Sequence, residues 1–216
     1  DSAETLRLLS AHIARSNAQF LDFVNDTYFQ VTDGFVSEDL GKLQKAVTGL
    51  RRERMELKQT RRKEMLGLRR IDPDVAIEKN TWFHLGINSC EDMLYSLRRI
   101  CDPCQEHIDN SFVPLDKERV KEFLPLRDTL LYLLKRVGGV ISAGDFTDVQ
   151  KLNEQCDAFK HCLSQTRDEQ MARMQAGREN ITVSYVYLNI LQETQEMASS
   201  LKHMLRAARH FSEERA

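Results

Sequence analysis

The sequence has few of the residues that interrupt helices, with four prolines and nine glycines among 216 residues. A β-sandwich or barrel of this length needs turn signals about every 8 to 12 residues, and a doubly wound α/β fold needs strands rich in Val and Ile between its helices. Neither pattern is present. No apolar run approaches the roughly 18 residues of a membrane span, and the first residues do not resemble a signal peptide. The composition therefore predicts an all-α chain with long helices.

Charge and cysteine content narrow the class of protein further. The net charge is −2, so nucleic acid is not an expected partner, because chains that bind nucleic acid carry a strongly basic balance. Five cysteines are an odd number in a chain long enough to bury a core, which indicates a reducing compartment and no disulfides. The chain begins at Asp1 without an initiator methionine. We therefore expect it to be a fragment of a longer protein.

The few helix breakers divide the chain into six helical segments. Between them, apolar residues recur every three or four positions, which is the pattern of a helix with one buried face. Gly34 and Gly144 are predicted to end the first and fourth helices, and Pro103 is predicted to kink the third. Helices of roughly 30 residues are about 45 Å long, so parallel packing in bundles is expected. The predicted N-terminal caps include Ser37, Asp72, Asp116 and Asp145.

An internal repeat divides the six helices into two related units. The triplet Gln-Thr-Arg at 59–61 recurs at 165–167, and the pattern Met-x-x-Ser-Leu at 93–97 recurs at 197–201. Each match alone is weak, but the two occur in the same helix order in both halves. The sequence therefore predicts two tandem three-helix bundles. The two predicted units are residues 1–112 and residues 113–216.

Positive charge is concentrated in one stretch of the chain. Residues 51–70 contain nine cations and three acids, a local net charge of +6 that leaves −8 for the rest of the chain. A charged run of this kind is typical of a solvated helix face, and it also fits a surface that contacts anionic lipid, an acidic partner or a phosphate-bearing ligand. The nine cations are Arg51, Arg52, Arg54, Lys58, Arg61, Arg62, Lys63, Arg69 and Arg70.

Two tandem three-helix bundles resemble the PhoU fold. More closely, several segments resemble the C-terminal PhoU-like region of bacterial sodium-dependent phosphate cotransporters. They are Trp-Phe-His-Leu at 82–85, Leu-Arg-Arg-Ile-Cys at 97–101, His-Ile-Asp-Asn at 107–110, Tyr-Leu-Asn-Ile-Leu-Gln-Glu-Thr at 187–194 and Leu-Lys-His-Met-Leu-Arg-Ala at 201–207. In that family the region follows a membrane transport domain. The resemblance implies a regulatory or assembly role in phosphate transport, at the cytoplasmic face of the bacterial inner membrane.

The same resemblance raises the question of metal binding. PhoU proteins carry a Glu/Asp-x-x-x-Asp motif on the third helix of each repeat, and its carboxylates can hold iron or zinc clusters. The repeat-equivalent pairs in this sequence are Asn88 with Asp92 and Gln192 with Glu196, so each pair has one carboxylate and one amide. This is a poor set of ligands. We therefore expect no bound metal, and Asp92 and Glu196 are the weak candidate ligands.

Other chemistry is weakly indicated. Cys101, Cys104 and His107 have soft ligand atoms at a spacing of three residues, which Zn²⁺ would take if they converged, but no fourth ligand is apparent. The sequence has no Glu-x-x-His pair, phosphate-binding loop, nucleophile elbow or EF-hand loop. We therefore expect no cofactor and no enzyme activity.

Three functions remain open at this point. The first is the cytoplasmic domain of a sodium-dependent phosphate transporter, with the transport domain of the same chain and anionic lipid headgroups as partners. The second is a free-standing PhoU-like regulator that binds metal and a signalling partner. The third is a helical adaptor unrelated to phosphate. A homo-oligomer is compatible with all three.

Overall fold

The computed structural model describes residues 1–213, and helices account for most of them. It contains no strand in that range, so the predicted all-α fold with six long helices is confirmed. No helix in the described range combines the length and the apolar character needed to cross a bilayer. The helices are α1 (Ser2–Val36), α2 (Leu40–Arg69), α3 (Pro73–Asp109), α4 (Lys117–Ala143), α5 (Val149–Gln175) and α6 (Ile181–Ser212).

The turn between α1 and α2 begins later than the sequence predicts. α1 continues through Gly34, and Asp39 rather than Ser37 caps α2 by accepting a hydrogen bond at 3.2 Å from the backbone amide three residues on. Gly34 lies inside α1, where it packs closely against α2. A Cβ atom at Gly34 would lie 3.1 Å from Leu43 Cγ. The missing side chain therefore lets α1 and α2 approach closely at this turn.

The other helix ends are mostly where the sequence predicts them. Asp72 and Asp116 cap α3 and α4, and Gly144 ends α4 with the positive φ of 67° that favours glycine. The prediction for α5 is wrong, because Asp145 does not cap it. The Asp145 side chain instead accepts a hydrogen bond from the Thr147 backbone amide at 3.1 Å, and α5 begins beyond this local turn.

Pro103 lies inside α3, where its missing N–H leaves the carbonyl oxygen of Arg99 without its helical partner. The side-chain amide of Asn189, on α6, donates a hydrogen bond to that oxygen at 2.8 Å. α3 is therefore one helix from Pro73 to Asp109, and a bond between helices replaces the bond that proline removes.

All six helices contribute to one main hydrophobic core. α3 packs along α6 and α1 packs along α4, while α2 contacts α1 and α3, and α5 contacts α4 and α6. The two sets of three helices therefore bury their faces against each other. The superposition of residues 1–112 on residues 113–216 stays a prediction, and the last three residues of the second unit lie outside the described range.

The repeated Met-x-x-Ser-Leu pattern lies in this core. Met93 and Leu97 on α3 are 0% exposed, and Met197 and Leu201 on α6 are also 0% exposed. Full burial of one such side chain stabilises a fold by roughly 1.5 to 3 kcal/mol. The repeat therefore marks positions that have the same packing role in the two halves of the chain.

Buried hydrogen bonds also join the first three helices to the last three. Tyr28 Oη on α1 and Thr194 Oγ1 on α6 lie 2.7 Å apart, and neither residue is exposed. Asn25 on α1 donates a hydrogen bond at 2.8 Å to the backbone oxygen of Leu131 on α4. Burial raises the pKa of the Tyr28 hydroxyl well above its usual value, so this hydroxyl keeps its proton.

The bond between Tyr28 and Thr194 can be tested by a double-mutant cycle. Tyr28→Phe is expected to lower the free energy of unfolding by about 1 to 3 kcal/mol, because the buried Thr194 hydroxyl loses its partner. Thr194→Val should lower the free energy of unfolding by a similar amount, because the Tyr28 hydroxyl then loses its partner. The double variant should lose less stability than the sum of the two single losses. Urea unfolding measures all three. Tyr132→Phe is the control, because Tyr132 is 52% exposed and the change should stay within about 0.5 kcal/mol. Strictly additive losses would contradict the bond.

Candidate functional site

A groove of about 790 Å³ lies between α3 and α6 and is lined mainly by polar side chains. We call it the α3/α6 groove. The two candidate carboxylates, Asp92 on α3 and Glu196 on α6, both line it. They meet in one groove because the helices that carry them pack along each other. The fold therefore brings together two residues that are 104 positions apart in the sequence.

Glu193 is the buried acid of this groove. It is 4% exposed, its Oε1 lies 3.8 Å from Arg99 Nη1, and its Oε2 has no hydrogen-bond partner among residues 1–213. Burial raises the pKa of the Glu193 carboxyl, while the Arg99 charge lowers it and the Glu196 charge raises it. The sequence analysis gave Glu193 no role. The signal that could have found it is an acid one helical turn before the apolar position Met197.

Amide and aromatic side chains complete the groove. Gln192 donates a hydrogen bond to Glu196 Oε1 at 3.1 Å, one helical turn away. The guanidinium of Arg99 lies 4.5 Å from the centre of the Tyr95 ring, which also lines the groove. Within the described part of the chain, no group of three or more His, Cys, Asp or Glu side chains is placed to hold a metal ion. The groove thus offers hydrogen-bonding groups and charges of both signs.

The cysteine and histidine candidates for zinc are buried, and two of the three have another hydrogen-bond partner. Cys101 donates from its Sγ to the backbone oxygen of Leu43 at 3.6 Å, and His107 Nε2 lies 2.7 Å from the backbone oxygen of Val113. Cys104 is 0% exposed. Burial raises the pKa of the Cys101 thiol to about 12 and that of Cys104 well above its usual value. Zinc binds the thiolate, so these environments disfavour it.

Arg61 belongs to the basic stretch of α2 that the sequence predicts to be on the surface, and this prediction is wrong for Arg61 because it is buried. Arg61 is 5% exposed and pairs with Glu64, which is 2% exposed, at 2.7 Å. Its guanidinium also donates to Asn17 Oδ1 and lies 3.8 Å from Cys90 Sγ. Arg61 faces inward because it shares the helix side of the core residues Leu57 and Leu68.

The other eight cations remain exposed and form what we call the basic face. Burying Arg61 together with Glu64 removes one charge of each sign, so residues 51–70 still present a net charge of +6 to solvent. The basic face makes no ion pair within the described residues. Two large apolar side chains, Met55 and Leu66, are exposed among these cations.

The basic face adjoins the α3/α6 groove. A second groove of about 920 Å³ lies between α2 and α3, and cations of the basic face line one of its sides. Asp92 and Tyr95 line both grooves. The candidate carboxylate Asp92 and the basic stretch, which the sequence analysis treated separately, therefore belong to one continuous surface.

Comparison with solved structures shows that this chain has the fold of PhoU proteins. The crystal structure of the phosphate transport system regulatory protein PhoU from Streptococcus pneumoniae matches with a TM-score of 0.68, over 98% of this chain and 96% of that chain, at 13% sequence identity. No family model and no curated protein matches the sequence. The chain therefore has a PhoU-like fold, which confirms the predicted fold class.

We expect the purified chain to contain no stoichiometric iron or zinc, because amides stand at Asn88 and Gln192 where a cluster needs carboxylates. Elemental analysis after purification without chelators is the measurement. The control is the double variant Asp92→Ala and Glu196→Ala. One or more metal ions per chain that disappear in this variant would show that the α3/α6 groove does bind metal.

Glu193→Gln is expected to change how stability depends on pH. Burial raises the pKa of Glu193 in the folded protein above its usual value of 4.5, so the stabilisation from its protonated form is complete below that value and is lost as pH rises through the folded pKa. The variant cannot ionise. Its free energy of unfolding, relative to the parent, should therefore increase from about pH 4 to about pH 7.

Urea unfolding at several pH values measures this trend. Glu118→Gln is the control, because it makes the same substitution at a side chain that is 73% exposed. If the difference in free energy of unfolding between the parent and Glu193→Gln stays constant with pH, burial does not raise the pKa of this carboxyl.

Proposed function

We propose that this chain is a regulatory or assembly domain in phosphate transport, and more specifically the cytoplasmic PhoU-like domain of a sodium-dependent phosphate transporter. The observation that carries the proposal is the likeness of its fold, over 98% of the chain, to a regulatory protein of a phosphate transport system. The resemblance of five short segments to the PhoU-like region of sodium-dependent phosphate cotransporters supports the finer statement. The transport domain of the same protein is the proposed partner.

The proposed domain acts by binding rather than by catalysis. In support, two buried acids lie against a cation: Glu64 pairs with Arg61, and Glu193 faces Arg99. The buried thiols have raised pKa values, which disfavours the nucleophilic thiolate. The accessible features include a basic face and a polar groove, which are suited to recognising another surface.

The basic face supports contact with the cytoplasmic side of a membrane. A Lys or Arg near an anionic lipid surface contributes about 1 kcal/mol, so a few of the eight exposed cations suffice for measurable binding. The exposed Met55 and Leu66 add apolar area between the charges, as in other protein surfaces that lie on membranes. The remaining chain, with its net negative charge, would be repelled and would orient the domain.

Lipid binding should depend on the basic face. The triple variant Arg54→Ser, Arg62→Ser and Lys63→Ser is expected to weaken binding to vesicles containing phosphatidylglycerol by about two orders of magnitude, since each lost cation contributes about 1 kcal/mol. Sedimentation with vesicles of phosphatidylcholine, with and without phosphatidylglycerol, is the measurement. Arg61 stays unchanged because its loss would disturb the core.

A matched control removes three exposed cations from other helices, as Lys135→Ser, Arg136→Ser and Lys151→Ser. This variant has the same net charge as the triple variant of α2 and should bind vesicles nearly as well as the parent. If both triple variants lose the same vesicle affinity, net charge rather than the position of the cations determines binding. If vesicle binding is the same with and without phosphatidylglycerol, the basic face is an ordinary solvated surface.

The link to phosphate is tested in a bacterium that carries the protein. Deleting residues 1–216 from the encoded protein should alter how phosphate uptake responds to external phosphate, since a regulatory domain is removed. Uptake of radiolabelled phosphate at low and high external phosphate is the measurement, and uptake of an unrelated solute is the control. An unchanged phosphate response contradicts the proposal and favours the helical adaptor.

Cell fractionation separates the two phosphate-linked alternatives. A protein detected in the membrane fraction after washing at high salt favours the transporter domain. A protein detected in the soluble fraction favours the free-standing PhoU-like regulator, and elemental analysis then decides whether that regulator binds metal.

A further inference from the structure

A half-open cavity of about 250 Å³ lies at one end of the helix bundle, away from the α3/α6 groove. Its walls come from the N-terminal halves of α1 and α3 and the C-terminal ends of α4 and α6. The lining is mostly apolar and includes the aromatic rings of Trp82, Phe83, Phe146 and Phe211. The cavity shares no lining residue with either of the two grooves described above.

Two buried polar side chains, Asn17 and Arg61, also line this cavity. Asn17 is 9% exposed, and its side-chain amide nitrogen makes no hydrogen bond within residues 1–213. Arg61 keeps an unpaired Nε although its other guanidinium nitrogens bond Glu64 and Asn17. Buried polar groups normally have partners, so unpaired atoms beside an apolar cavity indicate a place for a ligand's polar group.

The charge at this point is already balanced. The Arg61 guanidinium donates to Glu64 Oε1 at 2.7 Å, and both side chains are almost fully buried. A ligand with a negative head group would therefore add an uncompensated charge at a site of low solvent access, which is strongly unfavourable. Because Asn17 Oδ1 accepts from Arg61, the Asn17 amide nitrogen is the group left to donate, and the oxygen of a neutral hydroxyl or carbonyl can accept its hydrogen bond.

We propose that this cavity binds a small neutral molecule with an apolar body and one hydroxyl or carbonyl group, the polar group meeting Asn17 beside Arg61. The volume sets the size of the apolar body. An apolar cavity of about 150 Å³ accommodates benzene, so 250 Å³ accommodates roughly ten non-hydrogen atoms. Medium-chain alcohols have this size and this chemistry, and octanol is the probe.

Trp82 provides a direct readout, because it is the single tryptophan of the chain and lines the cavity. Octanol should change its fluorescence in a saturable way, and calorimetry should give the dissociation constant. Octanoate at neutral pH has the same apolar body with an ionised head. We expect it to bind at least about tenfold more weakly than octanol, because Glu64 already compensates the charge of Arg61.

The variant Gly86→Leu fills the cavity. Gly86 lies in α3 and lines the cavity, and the atom nearest to a Cβ there is the Ala207 Cβ at 3.9 Å, so the backbone accepts a side chain that points into the space. This variant should lose at least about tenfold in octanol affinity while remaining folded, since glycine is the less favourable residue inside a helix. Circular dichroism and thermal unfolding check the fold.

The matched control is Gly139→Leu, in α4, where a Cβ meets nothing within 4 Å and which does not line the cavity. It should bind octanol as the parent does. The proposal is overturned if octanol gives no saturable signal, if octanoate binds as tightly as octanol, or if a folded Gly86→Leu variant retains the affinity of the parent.

Discussion

The packing of α3 against α6 is the interaction on which the rest of this structure depends. These helices carry the fully buried Met93, Leu97, Met197 and Leu201 at equivalent positions of the repeat. All four side chains belong to one core to which both sets of three helices contribute. The same contact forms the groove that holds both candidate carboxylates, and it supplies Asn189 to the carbonyl that Pro103 leaves unpaired.

The helix α2 combines two roles because its charges point in opposite directions. Arg61 and Glu64 turn inward and neutralise each other beside a cavity, while the remaining cations face solvent. At the repeat-equivalent position of Glu64 the second half has Gln170, which is 0% exposed and donates a hydrogen bond to Ser184 at 3.1 Å. Within the described residues, the second half therefore has no counterpart of this buried charge pair. The two halves share a packing pattern but differ in chemistry.

Much of the fold followed from local rules. The helix count, most caps and the left-handed end at Gly144 depend on residues close in sequence, so spacing and residue type were sufficient to predict them. Two of the errors, at Gly34 and Arg61, occurred where a residue on another helix contributes to the outcome, and the error at Asp145 came from a local hydrogen bond to Thr147. The sequence predicts that Gly34 ends α1, but Gly34 lies inside the helix and accommodates Leu43. It also predicts that Arg61 is solvated, but Glu64 and Asn17 bond its buried guanidinium.

The candidate site also has features that the sequence predicts and features that depend on tertiary packing. The sequence by itself determined the helical fold, the positive charge of α2 and the amides at Asn88 and Gln192, because these follow from residue identity and helical period. Only the tertiary structure decided that Asp92 and Glu196 share a groove, that Glu193 is buried against Arg99, and that an apolar cavity adjoins a neutral ion pair. These features depend on which helices pack together, and contacts between residues about a hundred positions apart leave no periodic signal in the chain.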